Sequence, residues 1–139
     1  PLFQKPEQIN SALNQPLIEA AVSFEPQPTS ADVSIEDVVR VELRAGTIIA
    51  CSIVPKSEKL LRLEVDFGDV GKRIIFSGIQ QHYSPEQLLG KQAVFVFNLK
   101  PRKMMGEASH GMLLTAEDEQ GRLAFVTPER PVPNGKILK

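Results

Sequence analysis

Residues 93–114 read AVFVFNLKPRKMMGEASHGMLL, an apolar run on each side of a cationic loop. The first run, Ala93–Phe97, is rich in β-branched and aromatic residues and predicts a strand buried on both faces. The second run, Met112–Leu114, predicts another strand. Between them, Asn98–Gly106 carries three cations and no acid: Lys100, Arg102 and Lys103. A loop held between two core strands projects its charges from a rigid support, which suits the binding of a large anion.

Short strands separated by glycine turns extend outward from this stretch. Residues 41–50 predict a long first strand with a bulge at Gly46. Residues 61–67, LRLEVDF, alternate apolar and charged positions and predict a second strand with one wet face. Residues 73–76 predict a third. Residues 84–90 predict a short helix, because Ser84 suits the N-cap, Pro85 the first turn and Gly90 the end.

Five or six strands, with one short helix between the third and the fourth, predict an all-β fold. The pattern is typical of a five-stranded OB-fold barrel followed by C-terminal strands and an extension. We assign residues 34–139 to this domain, since Ser34 and Asp37 form a capping pair near its start. Barrels of this kind offer a face and two loops to oligonucleotides or oligosaccharides.

The N-terminal residues have a different character. Residues 1–31 are acidic and contain prolines, which predicts an extended arm or linker; a short docked helix is the alternative. Residues 1–37 hold six acids and one base, a balance of −5, whereas residues 38–139 hold fifteen bases and eleven acids, a balance of +4. Because the chain does not begin with Met, we expect it to be a piece of a longer protein.

The composition argues against several classes of function. No run of 18 apolar residues and no signal peptide is visible, so we expect no membrane association. The single cysteine, Cys51, cannot form an internal disulfide, which favours a reducing compartment and a cytoplasmic location. His82 and His110 do not stand at metal-ligand spacing, and no phosphate-binding or nucleophile motif is present. We therefore expect no metal, no cofactor and no catalytic residue in this chain.

Binding is better supported than catalysis. Further bases are predicted at strand ends or on wet faces, although scattered solubilising charge is the alternative: Arg40, Arg44, Lys59, Arg62 and Arg73. Aromatic residues are few and stand mostly at core-facing positions, so stacking on single-stranded bases is poorly provided for. Recognition of a folded RNA by its shape and backbone fits this inventory better.

Six motifs, in order and spacing, give the chain a specific resemblance to a known family. They are VELRAG (41–46), SEKLL (57–61), FSGI (76–79), YSPEQLLGK (83–91), NLKPRK (98–103) and SHGMLL (109–114). The chain resembles the tRNA-binding domain appended to the C-terminus of bacterial methionyl-tRNA synthetase, which also occurs as a free-standing tRNA-binding protein. The acidic arm favours the appended form.

The resemblance implies an OB-fold homodimer that binds tRNA by shape and raises tRNA affinity for aminoacylation. The synthetase body would supply the ATP-dependent ligase chemistry. The tRNA-facing residues implied by the motifs are Lys59, Ser77, Asn98, Lys100, Arg102, Lys103 and Met112. His110 departs from the family, which usually has Gln or Glu there, and could add positive charge below about pH 6.5.

The homodimer implied by the resemblance has some independent support from the residues. Leu123–Val126 and Ile137–Leu138 are late apolar segments that a small barrel has difficulty burying alone, which favours a self-complementary interface.

The alternative function is a small dimeric OB-fold chaperone or export factor that binds unfolded polypeptide. It would require an exposed apolar groove in place of the cationic loop.

Overall fold

The computed structural model of the protein describes residues 28–139, of which Val33–Lys139 form one unit. In this part of the chain the helices are α1 (Ile35–Val39) and α2 (Pro85–Leu88), with a 3-10 turn at Gly68–Val70. The strands are β1 (Leu43–Ile53), β2 (Leu61–Asp66), β3 (Lys72–Ser77), β4 (Gln92–Val96), β5 (Arg102–Met104), β6 (Glu107–Ser109), β7 (Met112–Leu113), β8 (Thr115–Glu117) and β9 (Leu123–Phe125). The predicted arm, residues 1–31, falls almost entirely outside the described residues, so its boundary stays a prediction.

Five antiparallel strands form the main sheet, in the order β3-β2-β1-β4-β7. Its two edges meet where the backbone N–H of His110 donates to the carbonyl of Ile74 at 2.9 Å. Beside this bond, the N–H of Phe76 donates to the hydroxyl of Ser109 at 3.0 Å. The nearly closed five-stranded barrel confirms the predicted OB-like fold, and closure leaves few exposed sheet edges.

Alternating positions of the strands fill the barrel. Leu61, Leu63 and Val65 are fully buried, while the charged residues between them reach the surface, as the period-two pattern predicts. Inside, the ring of Phe67 meets those of Phe95 and Phe97 edge-on, with centroids 5.4 and 4.9 Å apart. Full burial of one such apolar side chain stabilises the fold by about 1.5–3 kcal/mol of transfer free energy. The predicted burial of β4 on both faces is confirmed.

Gly46 has a different role from the predicted bulge, and that prediction is wrong. The pairing of β1 with β2 slips between Ile48 and Ala50 instead. At Gly46 a Cβ atom would lie 2.6 Å from Cγ1 of Val65 and 2.7 Å from Cε1 of Phe67. Real Cβ atoms do not approach other carbons this closely, so only glycine lets β1 cross the core here.

Local capping explains both helices. The hydroxyl of Ser34 accepts a hydrogen bond from the N–H of Asp37 at 3.2 Å, as the capping pair predicts. At α2, the N–H of Ser84 donates to Oε1 of Gln87 at 2.8 Å, and Gly90 follows the helix with a φ of 82°. Neither of these helices has the length or the apolar character to cross a membrane.

The C-terminal extension folds back along the start of β1. The N–H of Ala45 donates to the carbonyl of Lys136 at 3.1 Å, and the N–H of Leu138 donates to the carbonyl of Leu43 at 2.7 Å. The separate β8–β9 hairpin precedes this segment. The predicted C-terminal strands and extension are therefore present, although only one isolated bridge, Arg44 to Ile137, pairs the last residues with β1.

Candidate nucleic-acid interface

The cationic stretch contains a small β-hairpin, where the sequence pattern indicated only a loop. Strands β5 and β6 pair antiparallel and are joined by Met105 and Gly106, whose φ angles are 52° and 83°. Two successive positive φ angles define a tight type I′ turn, whose twist matches the flanking strands. The N–H and C=O groups of this segment are thus partly satisfied by one another, and the cations sit on a defined scaffold.

The hairpin has an outer and an inner face. Lys103 pairs with Ala108, and both are exposed, so the ammonium group has only a methyl group opposite it. On the inner face, Arg102 pairs with Ser109, and Met104 pairs with Glu107. Ser109 is 5% exposed and bonds to β3, which identifies this face as the one turned to the barrel.

Glu107 is the acid nearest in sequence to the cations, but it is engaged elsewhere. The guanidinium group of Arg62, on the wet face of β2, donates two hydrogen bonds of 2.8 Å to its carboxylate. This pairing lowers the pKa of Glu107 and raises the pKa of Arg62. Because Arg62 neutralises Glu107, the carboxylate does not cancel the charge of the hairpin.

The cations themselves remain open. Within residues 28–139, no carboxylate lies within 4.0 Å of the charged groups of the hairpin segment, Lys100, Arg102 and Lys103. All three side chains are exposed. These three cations stand within four positions of the sequence and have no carboxylate partner in the described part of the chain, and such a cluster attracts polyanions. We call this set the hairpin cations.

Two other predicted site residues lie at the adjoining ends of β2 and β3. Ser77 pairs with Leu61 and directly follows Phe76, whose N–H bonds to Ser109 of the hairpin. Lys59 is exposed in the preceding loop, and its carbonyl accepts from the N–H of Gln80 at 3.0 Å. Ser77 therefore lies beside the hairpin, and Lys59 lies beyond it along the same sheet end.

Asn98 and Met112 have different surroundings. The amide of Asn98 is used by the backbone: its Nδ2 donates to the carbonyl of Arg40 at 2.7 Å, and its Oδ1 accepts from the N–H of Glu42 at 2.9 Å. Asn98 thus fastens the entry to β1 against the root of the hairpin segment. Met112, on β7, pairs with Val96 of β4 and is 46% exposed, so its thioether is available at the surface.

Two bases that we expected on wet faces or at strand ends lie near the starts of β1 and β3 and also cover an aromatic ring. The guanidinium carbons of Arg73 and Arg44 lie 3.5 and 5.1 Å from the ring centroid of Phe97, at the end of β4. Burial lowers the pKa of Arg73, the charge of Arg44 adds to the effect, and Glu42 opposes it. Apart from the run RIIF at 73–76, which places a base beside apolar residues, nothing in the sequence indicated this arrangement.

The surroundings of His110 shift its pKa, which bears on the charge that this departure from the family could add. Burial and the nearby charge of Arg73 lower its pKa below the ordinary value of 6.5, although a hydrogen bond with the backbone of Leu99 acts in the opposite direction. The imidazole therefore gains its positive charge at a lower pH than an ordinary histidine does, and the added charge stays a prediction. Its backbone N–H, by contrast, closes the barrel.

Cys51 is partly buried and packs against the core of the barrel. Burial raises the pKa of the Cys51 thiol to about 11, with a further contribution from Glu86, which is consistent with an unreactive packed thiol.

In the described part of the chain no three His, Cys, Asp or Glu side chains come close enough to hold a metal ion. The pockets are shallow and open, and one of about 470 Å³ beside Gln92 and Asn134 is lined mainly by the C-terminal segment.

Comparison with known proteins accounts for this combination of barrel and cationic hairpin. The family model described as "Putative tRNA binding domain" matches residues 43–137. The chain belongs to this family. The match begins at β1 and ends in the C-terminal extension, so it spans the whole barrel and includes every predicted site residue.

Relatives of the tRNA-binding domain family include methionine–tRNA ligases. The ligase of Parabacteroides distasonis is 40% identical over 144 aligned residues, which cover 99% of this chain and 21% of the ligase. The chain therefore spans about a fifth of the length of the curated relatives that it matches.

Two solved structures that resemble this chain are each covered over their full length. The MetRS-related protein of Pyrococcus horikoshii superposes with a TM-score of 0.73 at 33% identity, over 79% of this chain and 100% of that chain. The chaperone CsaA of Bacillus anthracis superposes with a TM-score of 0.71 at 32% identity, over 78% of this chain and 100% of that chain. The same barrel thus carries proteins described in two different ways.

Proposed function

We propose that this domain binds tRNA by its shape and phosphate backbone, with the hairpin cations as the principal contact. The observation that carries the proposal is that these three cations are exposed and unpaired within the described residues, while Glu107 is neutralised by Arg62. The family model and the ligase relatives support tRNA as the polyanion. Phosphate contacts fix position and supply most of the affinity of such interfaces.

The aromatic residues support backbone recognition over base stacking. The rings of Phe67, Phe76, Phe95 and Phe97 are at most 8% exposed. A protein that reads single-stranded RNA presents such rings on its surface, because bases stack on them. A folded RNA whose bases are paired internally requires only a complementary charged surface.

The other predicted residues have flanking roles in this proposal. Ser77 and Lys59 extend the contact along the end of β3 and the loop before β2, and Met112 supplies an apolar contact beside them. Asn98 positions the root of the hairpin segment through the backbone of residues 40–42, since both ends of its amide are already bonded.

The domain would act within, or together with, a methionine–tRNA ligase and raise its affinity for tRNA. Amino-acid activation would reside in the rest of the ligase and binding in this chain, in the cytoplasm. A homodimer formed through the C-terminal part would double the positive surface. Exposed apolar side chains there support it: Val126, Ile137 and Leu138 are 39–41% exposed.

A second candidate is a chaperone that binds unfolded polypeptide. It is favoured by the likeness to CsaA and by the exposed apolar residues around α1, where Ile35 and Val39 are 67% and 66% exposed. The hairpin cations and the buried aromatic rings favour tRNA instead. An extended apolar segment binds best in an apolar groove, and the pockets of the described surface are shallow.

A binding competition separates the two functions. Fluorescein-labelled tRNA is titrated with the domain at 150 mM salt, and unlabelled tRNA or a reduced, denatured polypeptide serves as the competitor. Replacing Lys100, Arg102 and Lys103 together by Ala should weaken tRNA binding at least tenfold and leave polypeptide binding unchanged. The control replaces three exposed lysines outside the hairpin, Lys72, Lys91 and Lys136. Equal tRNA affinity for wild type and the hairpin variant would reject the site, and light scattering tests the dimer separately.

A further inference from the structure

Both ends of the hairpin segment, residues 97–110, are attached to one strand, β3. At the first end, Nη1 of Arg73 donates a hydrogen bond of 2.5 Å to the carbonyl of Phe97, and the same guanidinium group lies 3.5 Å from the ring centroid of Phe97. At the second end, the carbonyl of Ile74 and the N–H of Phe76 bond to His110 and Ser109. Three residues of β3, all within positions 73–76, thus hold the points where the segment leaves and re-enters the barrel.

Arg73 is suited to this task by the shape of its side chain. A planar guanidinium group can lie flat on an aromatic face and donate in its own plane to a carbonyl at the same time, whereas an ammonium group has no flat face to stack on the ring. Arg44, which lies over the same ring, is already held by Glu42 and by the carbonyl of Gly135 at 2.7 Å. Among the described residues, the only hydrogen-bond partner of the Arg73 side chain is the Phe97 carbonyl.

The ring and the carbonyl that Arg73 contacts both belong to Phe97, the first residue of the hairpin segment. Phe97 is 8% exposed and packs in the core, and its N–H donates to the carbonyl of Glu42 at 2.7 Å. The next residue, Asn98, is bonded to the backbone of residues 40–42. The direction in which the chain departs toward Lys100 is therefore set by Arg73 on one side and by Asn98 on the other.

We propose that Arg73 is a positioning residue for RNA binding: it acts through Phe97 to place the hairpin cations and does not itself contact the RNA. This inference rests on the proposed function. Without the guanidinium group, the exit from β4 keeps its strand pairing but loses its hold on β3. The hairpin then samples several orientations, and the cations meet the phosphates less often in the right geometry.

The test compares Arg73→Met and Arg73→Lys with wild type, and uses Arg122→Met as the matched control. Arg122 is also an arginine with a hydrogen-bonded side chain, but it lies in the turn of the separate β8–β9 hairpin and pairs with Asp118. We expect both Arg73 variants to bind tRNA roughly tenfold more weakly, the size of one lost charged hydrogen bond, and Arg122→Met to bind as wild type. Recovery of affinity by Arg73→Lys would overturn the proposal, because a positive charge without the planar guanidinium group would then be enough for RNA binding.

A double-mutant cycle distinguishes positioning from direct contact or loss of stability. Arg73→Met is combined with the triple alanine variant of the hairpin cations. If Arg73 acts through those cations, it should cause no further loss of affinity in that background, whereas a direct or global effect adds to it. Additive losses would overturn the proposal.

Amide hydrogen exchange without RNA gives an independent readout that does not depend on the proposed function. Arg73→Lys should speed exchange within residues 98–110 several-fold and leave the core of β1 and β2 unchanged. Unchanged exchange within 98–110 would overturn the positioning role, as would faster exchange throughout the barrel. If the triple alanine variant alone binds tRNA as wild type, the proposed function fails and the assigned role in RNA binding fails with it; the exchange result then reports only the attachment.

Discussion

The number of phosphates that the hairpin engages can be measured from the salt dependence of tRNA binding. Each cation that neutralises a phosphate releases a counterion, so affinity falls as salt rises, with a slope proportional to the number of contacts. Replacing the three hairpin cations by Ala should remove their share of the slope. Arg62, which already pairs with Glu107, belongs to a different class of base.

The structure determines the size of the expected change. The three hairpin cations are exposed and without a carboxylate partner in the described part of the chain, so each can neutralise one phosphate. At roughly 0.7–0.9 per contact, the slope of log K against log[salt] should become shallower by about 2 to 2.7. Between 50 and 200 mM salt, that difference corresponds to a factor of roughly 20 to 40 in affinity.

The assay is fluorescence anisotropy of labelled tRNA at four or more salt concentrations, with thermal unfolding recorded for each protein. The control variant at Lys72, Lys91 and Lys136 has the same change of net charge, and its slope should change by less than about one. Single replacements at Lys100, Arg102 and Lys103 should each remove about one third of the total effect. A hairpin variant with the wild-type slope, or a control with an equal loss, would refute the reasoning.

Three further predictions concern the barrel. Gly46→Ala should lower the free energy of unfolding by about 2 kcal/mol and Tm by roughly 8–16 °C, because its Cβ overlaps Val65 and Phe67; Gly78→Ala, whose Cβ meets nothing closer than 4.0 Å, is the control, and equal Tm values would contradict the packing argument. The lowered pKa of His110 means that the folded state disfavours its protonation, so its contribution to stability is complete above the unfolded value of 6.5 and is lost as pH falls below it. Urea unfolding of His110→Gln at pH 7.5 and 5.5 should therefore lose less stability over this interval than wild type, and an equal loss would exclude the effect. With a thiol pKa of about 11, Cys51 should react with iodoacetamide at pH 7.5 more than about tenfold slower in the folded protein than in urea, and equal rates would show an accessible thiolate.

Much of the fold could be predicted because the periodic pattern of a strand reports its own burial. The alternation over residues 61–67 and the apolar run at 93–97 predicted β2 and β4 correctly. The capping residues Ser34, Ser84 and Gly90 predicted both helices, since caps depend on neighbours a few positions away. The predictions failed where a residue far away in the sequence determines the role of a position. Gly46 reads as a bulge along the chain, but its role is set by Val65 and Phe67 across the barrel.

The same distinction, between local features and contacts with distant residues, applies to the candidate site. The sequence locates the hairpin cations, because charge density and proline are local properties. It indicates neither the β5–β6 pairing nor the partners of individual polar groups. Asn98 was expected to face RNA, but its amide is bonded to the backbone of residues 40–42, 56 and 58 positions away. Arg73 lies near a strand end, as expected, but its contact with Phe97 was not predicted.

By itself, the amino-acid sequence of this protein determined a small β-barrel, its two capped helices and a stretch of three cations without a neighbouring acid. Those features depend on residues a few positions apart, within reach of a strand period or a helical turn. Tertiary structure alone decided which charges remain available. Closing the barrel places Arg62 against Glu107 and Arg73 against Phe97, and leaves Lys100, Arg102 and Lys103 open within the described residues. Whether a charge is neutralised depends on what lies within a few ångströms in space, and for these side chains that is settled only when strands far apart in the chain meet.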